Sequence, residues 1–232
     1  MLKALITDID GTITDSSRRI DTGAIETIRA LVDQGIVVVL ASGNTSCFME
    51  TLCKMIGTQG SFIAENGGVF RVGYTGPLRI MGDQTACHTA LDLLQTHYRA
   101  RGQEIELFSP TYRFADLAFA RTVPVDEVRE ILAGHPVQII DTGFAIHLQT
   151  PGITKGTTLT ELATALALAP EEFCAVGDSV NDIQMLEAAG IGIAVANAHP
   201  DTKAAAEYIT QQHYGDGFVE GIKKYSSYFR AR

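Results

Sequence analysis

Residues 36–41, Ile-Val-Val-Val-Leu-Ala, form an uninterrupted apolar run dominated by β-branched side chains. A strand with one wet face alternates apolar and polar residues, so a continuous run belongs to a central parallel strand covered by helices on both faces. Residues 2–7 form a comparable buried strand upstream. Between the two, Asp21 is placed to cap a helix whose apolar residues Ile25, Ile28, Leu31 and Val32 keep helical spacing, and Gly35 stands where a helix stop belongs. Strand, helix, strand in this order is a βαβ unit with a right-handed crossover. A second helix is expected from about 45 to 56, followed by a hairpin in which residues 61–64 and 69–72 flank Glu65-Asn66-Gly67-Gly68.

The rhythm changes near Met81. A helix over 83–101, strands over 104–108 and 112–121, a helix from Val125 and strands over 137–141 and 144–150 make an α+β layer, not a continuation of βαβ. Pro151-Gly152 marks its exit. Alternation then resumes with a helix over 154–168, a strand over 173–177, a helix over 179–189 and a strand over 191–195. A helix near 201–206, a strand around Tyr208 and an amphipathic helix from Gly215 close the chain. The reading is an α/β protein: a doubly wound, Rossmann-like parallel sheet over 1–81 and 153–232, with a small α+β cap inserted over 82–152 that would decide substrate specificity.

At 232 residues the chain is long enough for one large domain, or one with a smaller insertion, and for a substantial core. Its formal net charge of -9 and its lack of any basic run argue against a nucleic-acid partner. No apolar run approaches a membrane span and the amino terminus enters a strand directly, so a cytoplasmic protein with no membrane partner is expected. Cys47, Cys53, Cys87 and Cys174 show no C-x-x-C spacing and read as reduced, mostly structural thiols. The oligomeric state stays open, a homodimer included.

Ligands of open parallel sheets bind at the carboxyl ends of strands. Four such places carry polar residues. Asp8 and Asp10 lie two apart, on one face of the strand end, and Gly11 then lets the backbone turn; carboxylates this close need a cation or a shared proton. An EF-hand does not fit, because Ile13 and Arg19 stand where that loop needs glycine and glutamate. Ser42-Gly43-Asn44 offers a hydroxyl and backbone N–H groups at a helix start, suited to an anion and equally to an ordinary cap. In Gly177-Asp178-Ser179-Val180-Asn181-Asp182, two carboxylates four apart share a face and can share a metal, or simply cap a helix. Lys155 sits in a helix's first turn, where a cation opposes the macrodipole unless an anion is near.

In this order, D-x-D-G-T, strand-Ser-Gly, Lys and G-D-S-x-x-D, the chain resembles the haloacid dehalogenase superfamily over essentially its whole length. Within it, the small cap, the segment 64–68 and the Ser-Gly-Asn form of the second motif are most similar to the archaeal phosphoglycolate phosphatases; larger capped relatives more often carry arginine where Asn44 stands. The resemblance implies a magnesium-dependent phosphatase for small anionic phosphate monoesters, with 2-phosphoglycolate giving glycolate and phosphate through an aspartyl-phosphate. It implies Asp8 as nucleophile and Asp10 as general acid and base. Ser42, Gly43, Lys155 and Asn181 would hold the phosphoryl group. Mg²⁺ would be bound by Asp8, the Asp10 backbone carbonyl and Asp178, with Asp182 in or just behind that set.

Sugar-phosphate hydrolysis and phosphomutase chemistry are the alternatives on the same scaffold. A dinucleotide-binding domain is disfavoured, since Gly190-x-Gly192 precedes a strand and Val195 stands where the last glycine should be. Within the cap, alternation puts Phe144, Ile146 and Leu148 on one face and Ala145, His147 and Gln149 on the other, which either looks toward the site or is merely half-exposed. His88 and His97 show no ligand spacing.

Overall fold

The computed structural model describes residues 1–231. The chain opens with β1 (Ala4–Asp8), α1 (Thr22–Asp33), β2 (Val37–Ala41), α2 (Ser46–Ile56) and β3 (Ser61–Ala64). A tight turn over Glu65–Gly67 leads to β4 (Val69–Arg71) and then to β5 (Arg79–Ile80). Next come α3 (Thr85–Arg99), β6 (Asp116–Ala120), α4 (Val125–Ile131), β7 (Gln138–Asp141) and β8 (Ala145–Gln149). The chain returns through α5 (Lys155–Ala165), β9 (Phe173–Gly177), α6 (Ile183–Ala188), β10 (Ile191–Ala194), α7 (Pro200–Ala205), β11 (Tyr208–Ile209) and α8 (Tyr214–Lys224).

Eight strands form one sheet in the order β11-β10-β9-β1-β2-β3-β4-β5, parallel from β11 to β3 and antiparallel at β4 and β5. Strand β1 is central: the chain runs outward from it to β2 on one side and returns beside it as β9 on the other, which makes a topological switch point at its carboxyl end. The register pairs Asp8 with Ala41 and Thr7 with Val176, so the residues after β1, β2 and β9 emerge side by side.

Strict alternation sends Leu5, Val38 and Leu40 to one face, where they pack with Ile28 and Leu31 of α1, Met49 and Cys53 of α2 and Phe218 of α8. Ile6, Val39 and Ala41 go to the other, against Leu159 and Leu162 of α5 and Met185 of α6. This double burial is why the strands read as continuous apolar runs. Asp21 caps α1 by accepting from the Ala24 N–H at 2.8 Å.

The segment between β5 and α5 builds a separate three-stranded antiparallel sheet, β6-β8-β7. Its own core joins Leu117, Phe119, Ile146 and Leu148 to Leu91, Leu94 and Tyr98 of α3 and Val128 of α4. The opposite face, with Ala118, Ala145, His147 and Gln149, is also buried. Phe144 departs from the expected alternation: it lies in the turn before β8 and is 46% exposed.

Two expected strands are corrected. Residues 104–108 contribute only an isolated bridge, Leu107 to Phe119, because Ser109 takes a left-handed φ of 52° and Pro110 has no N–H to extend pairing. The strand expected over 112–121 starts only at Asp116. Residues 110–112 form a 3-10 turn, and the N–H groups of Phe114, Ala115 and Asp116 donate to the Glu65 carboxylate instead of to a strand. The short edge strand β5 carried no recognisable sequence signal.

Candidate active site

Five residues singled out in the sequence, Asp8, Asp10, Ser42, Gly43 and Asn181, line one cavity of about 360 Å³ between the two sheets. That is at the small end of the roughly 300–1,000 Å³ range of ligand pockets. Lys155, Asp178 and Asp182 stand behind this lining, next to Asp8. Asp8 closes β1 and is 6% exposed. Its Oδ1 accepts from Lys155 Nζ at 2.6 Å, and its Oδ2 is buried with no partner among the described residues.

Lys155 is the first residue of α5 and is fully wrapped, donating also to Asp182 Oδ1 at 2.7 Å. The anion that the helix dipole argument calls for is therefore present twice over. Burial works against its charge, but the carboxylates of Asp182 and Asp8 outweigh it and hold the ammonium well above the ordinary lysine value. Burial pushes Asp8 up, Lys155 pulls it down, and the nearby charges of Asp182 and Asp178 push it up again, to well above the usual carboxylate range. Asp178 is pushed up to about 7 by burial and then by Asp182.

Asp182 is turned inward. Its Oδ2 accepts from the backbone N–H groups of Asp178 and Ser179, both at 3.0 Å, so it pins the loop leaving β9 while Oδ1 holds Lys155. Asp178 accepts from Thr12 Oγ1 at 3.3 Å. It also comes so close to Gly11, at a φ of 89°, that any Cβ there would collide with its carboxylate; Gly11 is needed both for the turn and for this approach. Asp8, Asp178 and Asp182 each bring an oxygen within 4.8 Å of the others. Three carboxylates at this spacing, against one lysine and one orphaned Asp8 oxygen, suit a hard divalent cation.

The Ser42 and Asp10 side chains are tied together by a residue whose role the sequence left open. Asn44 Nδ2 donates to Asp10 Oδ2 at 3.0 Å and to Ser42 Oγ at 2.9 Å. Asn66 does the equivalent on the other side, accepting from Asn181 Nδ2 at 2.9 Å and packing against Gly43. Both were visible only as members of turn sequences. Arg113, Asp116 and Glu65 were not singled out at all, because isolated charged residues in an irregular segment carry no spacing signal.

This arrangement of acids, lysine and serine at the carboxyl ends of a parallel sheet is that of a hydrolase family. A model described as haloacid dehalogenase-like hydrolase matches residues 5–98 and 118–222, and the chain belongs to that family. It is a phosphoric monoester hydrolase. Two relatives named phosphoglycolate phosphatase, from Methanoculleus marisnigri and Methanospirillum hungatei, are 60% and 51% identical to it, each over 100% of both chains. A crystal structure of a Thermoplasma acidophilum protein matches with a TM-score of 0.85 at 26% identity, covering 97% of this chain and 99% of the other. No helix among the described residues is long and apolar enough to cross a membrane.

Proposed function

We propose that the chain is a magnesium-dependent phosphatase converting 2-phosphoglycolate to glycolate and phosphate through an aspartyl-phosphate on Asp8. The observation that carries this reading is the Asp8 carboxylate itself: buried, held by Lys155 through one oxygen, unpartnered at the other and bordering the cavity. The names of the full-length relatives supply the substrate.

The Asp8 carboxylate attacks phosphorus as the bond to the glycolate oxygen breaks, and Asp10 gives that oxygen a proton. Asp10 then takes a proton from the water that attacks the acyl-phosphate, which releases phosphate and restores the Asp8 carboxylate. Asn44 keeps the Asp10 carboxylate in place between the two steps. Ser42, the Gly43 backbone and Asn181 bind the phosphoryl oxygens, and Lys155 opposes the charge that builds on them. Magnesium, taken by Asp8, the Asp10 backbone carbonyl and Asp178 with Asp182 behind them, would neutralise the crowded acids and polarise the phosphoryl group. Residues 82–152 act as the cap that excludes water and selects the ester, over a core of residues 1–81 and 153–232.

Phosphate release from 2-phosphoglycolate and a panel of sugar phosphates, with Mg²⁺ or with EDTA, tests the reading. Turnover that requires the metal and favours 2-phosphoglycolate supports it. Absence of release from every ester overturns it.

A further inference from the structure

The roof of the cavity carries a buried charged group that the chemistry at Asp8 does not use. Asp116, at the start of β6, has 0% exposure and splits its carboxylate between two partners. Oδ1 takes Arg113 Nη1 at 2.7 Å, and Oδ2 takes His147 Nδ1 at 2.7 Å from the neighbouring strand β8, where His147 faces Ala118 and lies diagonally across from Asp116. Burial works against its charge, but the hydrogen bond from His147 and the charges of His147 and Arg113 hold it below the usual carboxylate range. An ionised Asp116 fixes Nδ1 of His147 as the donor.

Each of these two partners then turns its remaining nitrogens elsewhere. Arg113 gives Nε to the Phe108 carbonyl at 3.0 Å and a second Nη1 contact to the Gly43 carbonyl at 3.2 Å. Its Nη2, and Nε2 of His147, have no partner among the described residues, and neither is sealed off, since both residues line the cavity. Arg113 and His147, both held by one buried aspartate, therefore line the space shared with Asp8 and Ser42. The Arg113 guanidinium favours an anion through its free Nη2, and His147 adds an Nε2–H donor in its imidazolium form, so that the pair makes a fork for a carboxylate.

Resting on the phosphatase reading above, we infer that Arg113 and His147 form the subsite for a carboxylate on the alcohol portion of the substrate, with Asp116 as their positioning residue. The phosphoryl group sits at the floor and the carboxylate at the roof. The enzyme thereby selects phosphorylated hydroxy acids of two or three carbons over phosphate esters of uncharged alcohols of similar size. The link from Arg113 to the Gly43 carbonyl joins this subsite to the phosphate loop.

The experiment compares kcat/KM for 2-phosphoglycolate and for its uncharged near-isostere 2-phosphoglycolamide, in the wild type and in Arg113→Met, Arg113→Lys, His147→Gln and Asp116→Asn. The wild type is expected to prefer the acid. Arg113→Met and His147→Gln each shrink that preference on the order of 10- to 100-fold, the range lost with one hydrogen bond to a charged group. The loss falls mainly in KM, Arg113→Lys restores part of it, and Asp116→Asn moves the preference in the same direction. Should Arg113→Met fail to fold, Arg113→Lys and His147→Gln still decide. A wild type that hydrolyses both esters with equal efficiency, or variants that lower both equally, overturns the subsite and leaves the phosphatase reading standing. Hydrolysis of neither ester overturns both.

Discussion

The floor and the roof of the cavity solve opposite electrostatic problems. At the floor, Asp8, Asp178 and Asp182 crowd three carboxylates around the single ammonium of Lys155. At the roof, one buried carboxylate, Asp116, is surrounded by Arg113 and His147. The floor has excess acid and calls for a cation; the roof has spare donors and calls for an anion. The proposed substrate, anionic at both ends, and its metal would fit between them. The two regions also differ in how they are built. The floor is assembled from loops that leave adjacent parallel strands, and the roof from two neighbouring strands of a small antiparallel sheet and the irregular segment before them, tied to the core by side-chain-to-backbone hydrogen bonds.

The contrast is broken most severely at the floor. Asp8→Asn removes the proposed nucleophile, and turnover is expected to fall on the order of 10⁴-fold or more in a phosphate-release assay, with the fold retained by circular dichroism. Asp10→Asn is expected to cost about 10²–10⁴-fold, since it removes the proposed general acid and leaves the Asp8–Lys155 pair untouched. Survival of near-normal turnover in either variant would contradict the roles given to them.

Lys155→Met tests whether the floor really is short of positive charge. Breaking a buried pair from one side costs about 3–5 kcal/mol, read as a lower urea midpoint at neutral pH. Excess Mg²⁺ should raise the thermal midpoint of the wild type, with about 2.7 kcal/mol of stabilisation at a hundred times its dissociation constant, and Asp178→Asn should abolish that rise. An unchanged midpoint on adding Mg²⁺ to the wild type would argue against the metal site.

A last effect, visible only as a pH dependence, belongs to the joint between floor and roof. Burial, and then the charge of Asp116, push Glu65 up to about 7, against the pull of three backbone N–H groups. A carboxyl with a raised folded pKa binds its proton more tightly when folded. Its contribution to stability is therefore full below the ordinary glutamate value of about 4.3 and is lost as pH rises through about 7. The difference in unfolding free energy between wild type and Glu65→Gln should shift by about 3 kcal/mol across that window. A difference that is flat with pH would mean that Glu65 is ionised throughout.

The same contrast explains what could be read from the sequence. Parallel strands buried on both faces announce themselves as apolar runs, and the residues that follow them, Asp8, Asp10, Ser42 and Asp178, occupy fixed places relative to those runs. Lys155 opens a helix, which is electrostatically awkward but by itself a weak signal, and it became legible only through its place in the order of motifs. The face of β8 carrying His147 followed from period-two alternation, and the structure buries it toward the core. Arg113 escaped because it lies in an irregular segment whose path is set by Glu65, some fifty residues earlier and without a local signal. Glu65 escaped for a related reason: Asn66-Gly67 reads as a hairpin turn, and nothing in that signature tells that the preceding glutamate, at a φ of 50°, points away to catch another chain segment. Residues 104–108 were misread because Glu104 and Glu106 alternate with Ile105 and Leu107 like a strand, while Ser109 and Pro110 end the pairing almost at once.

The Glu65 joint also bears on how caps can be exchanged. Its carboxylate grips the main chain of residues 114–116 and none of their side chains. The tight spot beside it, where a Cβ on Gly68 would come within 2.5 Å of Ala115 Cβ, is relieved by the glycine on the core's side. The socket is thus part of the core and largely indifferent to the sequence of its plug. A transplanted module needs a small residue and three free N–H groups at one strand start to seat in the same place. New roofs, and with them new selectivities, can be fitted to an unaltered catalytic floor.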